Sequence, residues 1–121
     1  MSLRYSILWH HDVSEPHYDL MFETYPGSDL ATWRSPTWPI ESPVDISRLK
    51  DHRRFYLEYE GDLSDHRGRV ERVAGGACDV QINEGARWIV TLKTGASPTR
   101  LLLQQIDAEH WQGAPIDTVA N

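Results

Sequence analysis

Residues 17–23 read HYDLMFE, and no other stretch of the chain restricts its fold so tightly. Tyr18, Leu20 and Phe22 fall on one side of an extended chain, and His17, Asp19, Met21 and Glu23 fall on the other. A repeat of two residues is the mark of a half-buried strand. Short segments suited to strands recur at 4–9, 29–34, 54–60, 69–73, 77–82, 86–93 and 99–106. Turn formers separate them: DVSEP at 12–16, DLSDHRG after Gly61, Gly75-Gly76, Glu84-Gly85, and Gly95 to Pro98. The pattern predicts a mainly β chain, a meander closed or nearly closed into a small antiparallel β-barrel with short helical turns. One helical turn is expected over 45–50 (DISRLK), with Asp45 as its cap. Pro36, Pro39 and Pro43 make the stretch from Ser35 a loop, and residues 113–121 read as a frayed tail.

A length of 121 residues suits one domain, 1–121, with a single core. Cys78 is the only cysteine, so no internal disulfide forms; with no basic neighbour it reads as inert. The apolar stretch near the N-terminus is too short for a signal segment, and no run is long enough to span a bilayer. A cytoplasmic chain with no membrane partner is the expectation. The net charge of −6 argues against a general nucleic-acid coat protein, which relies on many Lys/Arg–phosphate contacts. An enzyme that grips one phosphate or one strand end remains compatible, because a basic patch can sit on an acidic whole.

The chemistry concentrates in His11, His17 and Asp19. His17 and Asp19 stand two apart on one strand, so their Cβ atoms lie roughly 6.5 Å apart on one face. His11 can fold back across the DVSEP turn to join them. Two imidazoles and a carboxylate make an open site for Mn, Zn, Co or Fe, with positions left for water or substrate. His10 is expected on the opposite strand face, in a structural role. Glu23 reads as a supporting partner or an exposed residue. Trp9, Trp33 and Trp88 sit on strand patterns and should fill the core. Trp38, in the proline-rich loop, is a core anchor or a stacking surface for a base. His110 reads as a tail residue.

The run His11-Asp12-Val13-Ser14-Glu15-Pro16-His17-Tyr18-Asp19-Leu20-Met21-Phe22-Glu23 resembles the opening motif of the 3′-phosphoesterase domain of bacterial DNA ligase D. That motif has a His, a second His six residues on, Tyr-Asp, and a Glu closing the strand. Leu30 to Pro36 (LATWRSP) resembles the family's Leu-x-Ser-Trp-x-x-Pro segment. Asp51-His52, Tyr56 and Tyr59-Glu60-Gly61 resemble its Asp-His, Tyr and aromatic-Glu-Gly segment, and Gly68 to Gly76 its Gly-x-Val strand. The likeness spans residues 5–93. It implies a small β-barrel that trims nucleic-acid 3′ ends with a divalent metal, typically manganese. Such an enzyme removes a terminal ribonucleoside and then the 3′-phosphate. By position, His11, His17 and Asp19 match the metal ligands, and His52 and Tyr56 match a phosphate-contacting pair. Separate ligase or polymerase proteins are the implied repair partners.

Three positions depart from the family. Met21 stands where it has an Arg, Thr37 where it has a Lys, and Trp9 where it has a Gln. A thioether cannot grip phosphate as a guanidinium does. Arg34, Arg53, Arg54, Arg67 and Arg69 are the candidate replacements. An alternative register makes Asp65-His66 the site pair; the Tyr and Glu-Gly spacing favours His52. The leading reading is a metal-dependent phosphoesterase acting on nucleic-acid 3′ ends or a related phosphate ester. A catalytically weak or inactive binding module for metal or nucleic-acid ends keeps the fold and loses turnover. A non-haem iron enzyme is the third class with two His and a carboxylate.

Overall fold

The structure is a computed structural model that describes residues 3–93 and 100–116. Its strands are β1 (Leu3–His11), β2 (His17–Glu23), β3 (Leu30–Ser35), β4 (Val44–His52), β5 (Gly61–Asp62), β6 (Arg69–Asn83), β7 (Arg87–Leu92), β8 (Arg100–Gln105) and β9 (Trp111–Pro115). A 3-10 turn, η1 (Arg54–Leu57), the only helical element among the described residues, follows β4. All pairings are antiparallel. The order β1-β2-β3-β4-β9-β8-β7-β6 returns to β1 and closes an eight-stranded barrel, with β5 hung on β6. The expected mainly β barrel is therefore the observed fold. Closure leaves no free edge around the ring, which removes the aggregation hazard of an open sheet. No helix among the described residues is long and apolar enough to cross a membrane.

The period-two pattern of β2 sorts its side chains to two buried faces. Leu20 and Phe22 turn inward with Tyr5 and Ile7 of β1, Ala31 and Trp33 of β3, and Val90, Leu101 and Leu103. Trp33 is the hub. Its ring meets Trp88 at 4.9 Å, Trp111 at 5.4 Å and Phe22 at 6.1 Å. Arg48 covers this aromatic group, its guanidinium carbon 4.5 Å from the Trp33 ring. The barrel lumen is thus filled by side chains, as an eight-stranded barrel permits. Trp33 and Trp88 fill the core as expected, while Trp9 is only half-buried against Tyr18. Cys78 is buried and its thiol is pushed up to about 12 by that burial, which keeps it protonated.

A second, smaller cluster forms on the outer face. Leu8, Met21, Leu30 and Val70 are capped there by Leu57 of η1, with Tyr56, Tyr59 and Leu63 against them. The connection from β4 to β6 therefore folds back over the barrel wall.

Four elements differ from the sequence expectation. Residues 45–50 form part of β4 and not a helical turn. Val44, Ile46 and Arg48 alternate inward, and β3 and β9 supply ladders that an isolated turn cannot match. Residues 54–57 form η1 and not a strand, because one tight turn delivers Leu57 onto the outer cluster and leaves Phe55 in solvent. Gly75-Gly76 is no turn; β6 runs through it opposite Ser6 and Tyr5. There Gly75 makes room for the Arg72 guanidinium lying across it. Residues 113–115 are not frayed but belong to β9, where Gly113 leaves space for Ile40 and Ile46. The expected turn at 95–98 and the tail at 117–121 lie outside the described residues.

Glu23 fastens the outer layer to the barrel. Its side chain is buried and accepts from the Arg4 N–H at 2.8 Å, the Gly27 N–H at 3.1 Å, and Arg54 of η1. Burial works against its charge, but these donors outweigh that cost and hold its pKa below the ordinary carboxyl value. A folded pKa below the unfolded one contributes stability at neutral pH and loses it as pH falls through the lowered value. Glu23→Gln is expected to cost about 1.5–3 kcal/mol at neutral pH, nearer the lower end because Arg54 is partly solvated. Denaturant midpoints of both proteins, measured from neutral into acid, should converge as pH drops. Parallel curves would contradict this.

Candidate metal centre

The centre is built on the outer face of β1, β2 and β3. In the β1–β2 hairpin, Leu8 pairs with Asp19 and His10 with His17. Directly paired residues project to the same side of a sheet. His10, His17 and Asp19 therefore converge, each offering one ligand atom, with those atoms all within 4.8 Å of one another. His17 Nε2 lies 3.2 Å from Asp19 Oδ1, and His10 Nδ1 lies 3.8 Å from Asp19 Oδ2. The two imidazoles meet edge to face at 4.7 Å.

Main-chain carbonyls fix both rings. His17 Nδ1 donates to the Glu15 carbonyl at 2.9 Å, and His10 Nε2 donates to the Arg67 carbonyl at 2.7 Å. A carbonyl only accepts, so in each ring that nitrogen bears the proton. The other nitrogen is left to face Asp19. This is how metal-ligating histidines are commonly oriented. Asp19 is buried, and its Oδ1 finds no hydrogen-bond partner among the described residues. A buried carboxylate that faces His17 Nε2 with one oxygen and His10 Nδ1 with the other, both nitrogens presenting lone pairs, fits a cation as the missing neighbour of all three. Two nitrogens and one oxygen form an open donor set that accepts Mn, Fe, Co or Zn alike. Burial opposes a charge on His17, but the Asp19 carboxylate and the Glu15 carbonyl outweigh it, and the His17 pKa is raised despite Arg34 nearby. Protons and metal thus compete for Nε2, so affinity should fall on acidification.

His11 is not brought to this cluster. It lies on the other face of β1, over Trp9 at 6.1 Å, with its Nε2 2.6 Å from Glu71 Oε2. His10 takes the place that the sequence reading gave to His11. The reason is phase. Tyr5, Ile7 and Trp9 share a side with His11, and the inward set of β2 is Leu20 and Phe22. The large apolar residues of β1 were the available signal, because they tie His11 to the core phase and release His10 to the outer one.

The triad opens into a cavity of about 410 Å³. Its polar lining adds Arg34, Asp51, His52, Arg53, Tyr56 and Arg67, over an apolar floor of Leu8, Leu49, Leu63 and Val70. Arg34 stands directly opposite Asp19 on β3. His52 donates from Nδ1 to the Lys50 carbonyl at 3.1 Å, and its ring meets Tyr56 at 5.9 Å. Arg67 is braced by Ser64 through two hydrogen bonds, at 2.9 and 2.8 Å. Of the expected site residues, His17, Asp19, His52, Tyr56 and Arg67 share this cavity. His66 lines a separate depression with Asp12, Asp62 and Asp65, Arg54 is taken up by Glu23, and Arg69 pairs with Asp62. Met21 is fully buried in the outer apolar cluster, and Thr37 is exposed beside Ser35.

No protein-family model matches this chain, and no curated protein matches it.

The two histidines make a direct test. Titration of manganese or zinc into the protein, followed by calorimetry, should show His10→Ala weakening binding by about 100-fold or more, a ligand loss exceeding the usual effect of removing a supporting group. His11→Ala should change affinity little. The reverse ranking would refute the geometry.

Proposed function

We propose that this chain is a metal-dependent phosphoesterase acting on nucleic-acid 3′ ends, in the manner of the 3′-phosphoesterase domain of DNA ligase D. One observation carries the reading. The two-His, one-Asp cluster opens into the same cavity as His52, Tyr56, Arg34 and Arg67.

A divalent cation on His10, His17 and Asp19 would polarise a phosphoryl oxygen and lower the pKa of a bound water. The chain's own groups do the rest. Arg34 and Arg67 supply forked N–H donors for the phosphate oxygens, and the Ser64 contacts hold Arg67 in place beforehand. Arg34, opposite Asp19, takes over the grip that Met21 lacks. His52, tied through Nδ1 to the Lys50 carbonyl, donates from Nε2 to the phosphate or its leaving oxygen in its doubly protonated form, since the singly protonated ring keeps its hydrogen on Nδ1. Tyr56 donates its hydroxyl proton toward charge gathering on the phosphoryl group. The apolar floor of Leu8, Leu49, Leu63 and Val70 excludes water beneath them, which strengthens each of these interactions.

The position of Met21 favours one rival. It sits inside the apolar cluster, so no cation arises from the strand position where the resemblance leads one to expect it. A module that binds a metal and a phosphate end without turnover would have this feature too.

A 3′-phosphorylated DNA primer assayed with manganese, cobalt, zinc and iron separates the two. Phosphate release that falls about 100-fold or more in His17→Ala supports the enzyme. Tight metal binding without release from any phosphate ester would leave the binding module.

A further inference from the structure

Beside the metal cavity lies a second groove, of about 250 Å³, lined by Arg53, Phe55, Tyr56, Tyr59 and Arg67 among others. Arg53, Tyr56, Leu63 and Arg67 line both spaces, so the groove continues the cavity sideways. Its wall is aromatic. Phe55 meets Tyr59 at 4.9 Å and Tyr56 at 5.2 Å, and Tyr56 meets Tyr59 at 6.1 Å. Tyr56 and Tyr59 pack on the outer cluster and are held by it, whereas Phe55 is 59% exposed. The Arg53 guanidinium lies 5.8 Å from the Tyr56 ring.

Phe55, Tyr56 and Tyr59 form one patch of rings at the rim of a polar cavity, and a contiguous apolar patch rimmed by polar groups, unlike a lone exposed side chain, marks a place where a ligand docks. Rings beside guanidinia suit a flat π-system that carries negative charge at one side. Trp38, the other stacking candidate, is packed against the barrel core instead.

We infer that this groove is the subsite for the terminal nucleobase of the nucleic-acid end whose phosphate enters the metal cavity, with Phe55 as its stacking surface. The inference rests on the phosphoesterase reading and names its substrate: an end whose last base is unpaired, because a base held by its pairing partner and its stacked neighbour cannot turn sideways onto Phe55 beside its own phosphate. Arg53 and Arg67, placed between the two spaces, hold the phosphate that joins them. The tight turn of η1 is what gives Phe55 this position, since Leu57 goes down into the barrel wall and Phe55 points away.

The test uses the full chain and two single-stranded 3′-phosphorylated primers. One ends in 2-aminopurine, and the other is abasic at its last position. Binding is followed by 2-aminopurine fluorescence and by anisotropy of a 5′ label, with calcium in place of manganese; phosphate release is followed separately with manganese. Phe55→Ala should weaken binding of the base-bearing end on the order of tenfold or more and abolish the fluorescence quench. Phe55→Trp should restore both, and the abasic primer should bind wild type and variant equally. Equal affinity of wild type and Phe55→Ala for the base-bearing end would overturn the subsite, as would an equal loss on the abasic end. Quenched binding without phosphate release keeps the subsite and removes the enzyme. Phosphate release whose KM ignores Phe55 keeps the enzyme and removes the subsite. Failure of both primers to bind overturns both.

Discussion

The register of the β1–β2 hairpin decides everything chemical in this molecule. Because side chains alternate across a sheet, a slip of one residue would exchange His10 for His11 and dissolve the cluster. Two apolar sets oppose that slip at once. Ile7 must stay against the inner core and Leu8 against the outer cluster, and both are almost wholly buried. Reversing the phase would place His11 and Trp9 over the outer cluster and drive His10 toward the core. Against β6, by contrast, β1 does shift register between Ile7 and Leu8. The irregularity falls on the seam that closes the barrel, and the hairpin that carries the ligands stays regular. Bulges re-aim side chains, and here the bulge lies away from the pairing that must not move.

The barrel lumen is no place for a site. Trp33, Trp88 and Trp111 fill it, and a small barrel so packed offers stiffness but no space. The polar groups gather instead where the β4–β6 connection folds over the outer wall. That arrangement gives the cluster two unlike surroundings. Below and behind are Leu8 and Val70, a low-dielectric floor; above and beside are main-chain carbonyls of Glu15 and Arg67 that fix the rings. The hydrogen bond from His10 to the Arg67 carbonyl also couples the two halves. The segment that brings Arg67 to the cavity is the one that sets the orientation of a candidate ligand. Gly68, next in line, is needed for this fit. Its backbone has a φ of +89°, and an added Cβ would run into the His11 carbonyl and Val13.

What the sequence makes legible is phase within a strand, and what it hides is phase between strands. HYDLMFE reads off β2 to the residue, and its two faces are the ones observed. The link between His11 and His17 leaves open which of two adjacent histidines turns toward Asp19, because that depends on the hairpin's geometry, including the left-handed Asp12. Only the apolar run Tyr5, Ile7, Trp9 resolves it. The other misreadings share one cause. DISRLK, RFYLEYE and the Gly75-Gly76 pair are short stretches whose local preferences are weak, and pairing with distant strands or a single buried side chain decides each. WQGAP gave no local sign of β9, since Gly113 and Pro115 are poor strand formers. Trp111 in the core and the ladders to β8 and β4 hold it there. The site residues drawn from the family likeness reached the cavity where the likeness concerned position in the chain, as for His52 and Tyr56. His11 missed it because its place depends on which side of a strand it takes, while Arg54 on η1 is drawn off by Glu23 and His66 lies in the loop before β6, facing a separate depression.

The charge distribution sets what such a cavity can hold. The chain as a whole is acidic at −6, yet Arg34, Arg53 and Arg67 line the cavity against Asp19 and Asp51. Three guanidinia release few counterions on meeting a phosphate backbone, so electrostatic gain along a strand is small. The acidic remainder repels the flanking phosphates beyond a Debye length only weakly. On the proposed reading, affinity must therefore come from a single point: one phosphate held between cation, guanidinia and imidazole, with the adjoining base covered. A protein organised this way would discriminate by the end of a strand and hardly at all by the length behind it. That follows from the small count of cationic groups and their concentration around one buried carboxylate, whatever the sequence of the nucleic acid.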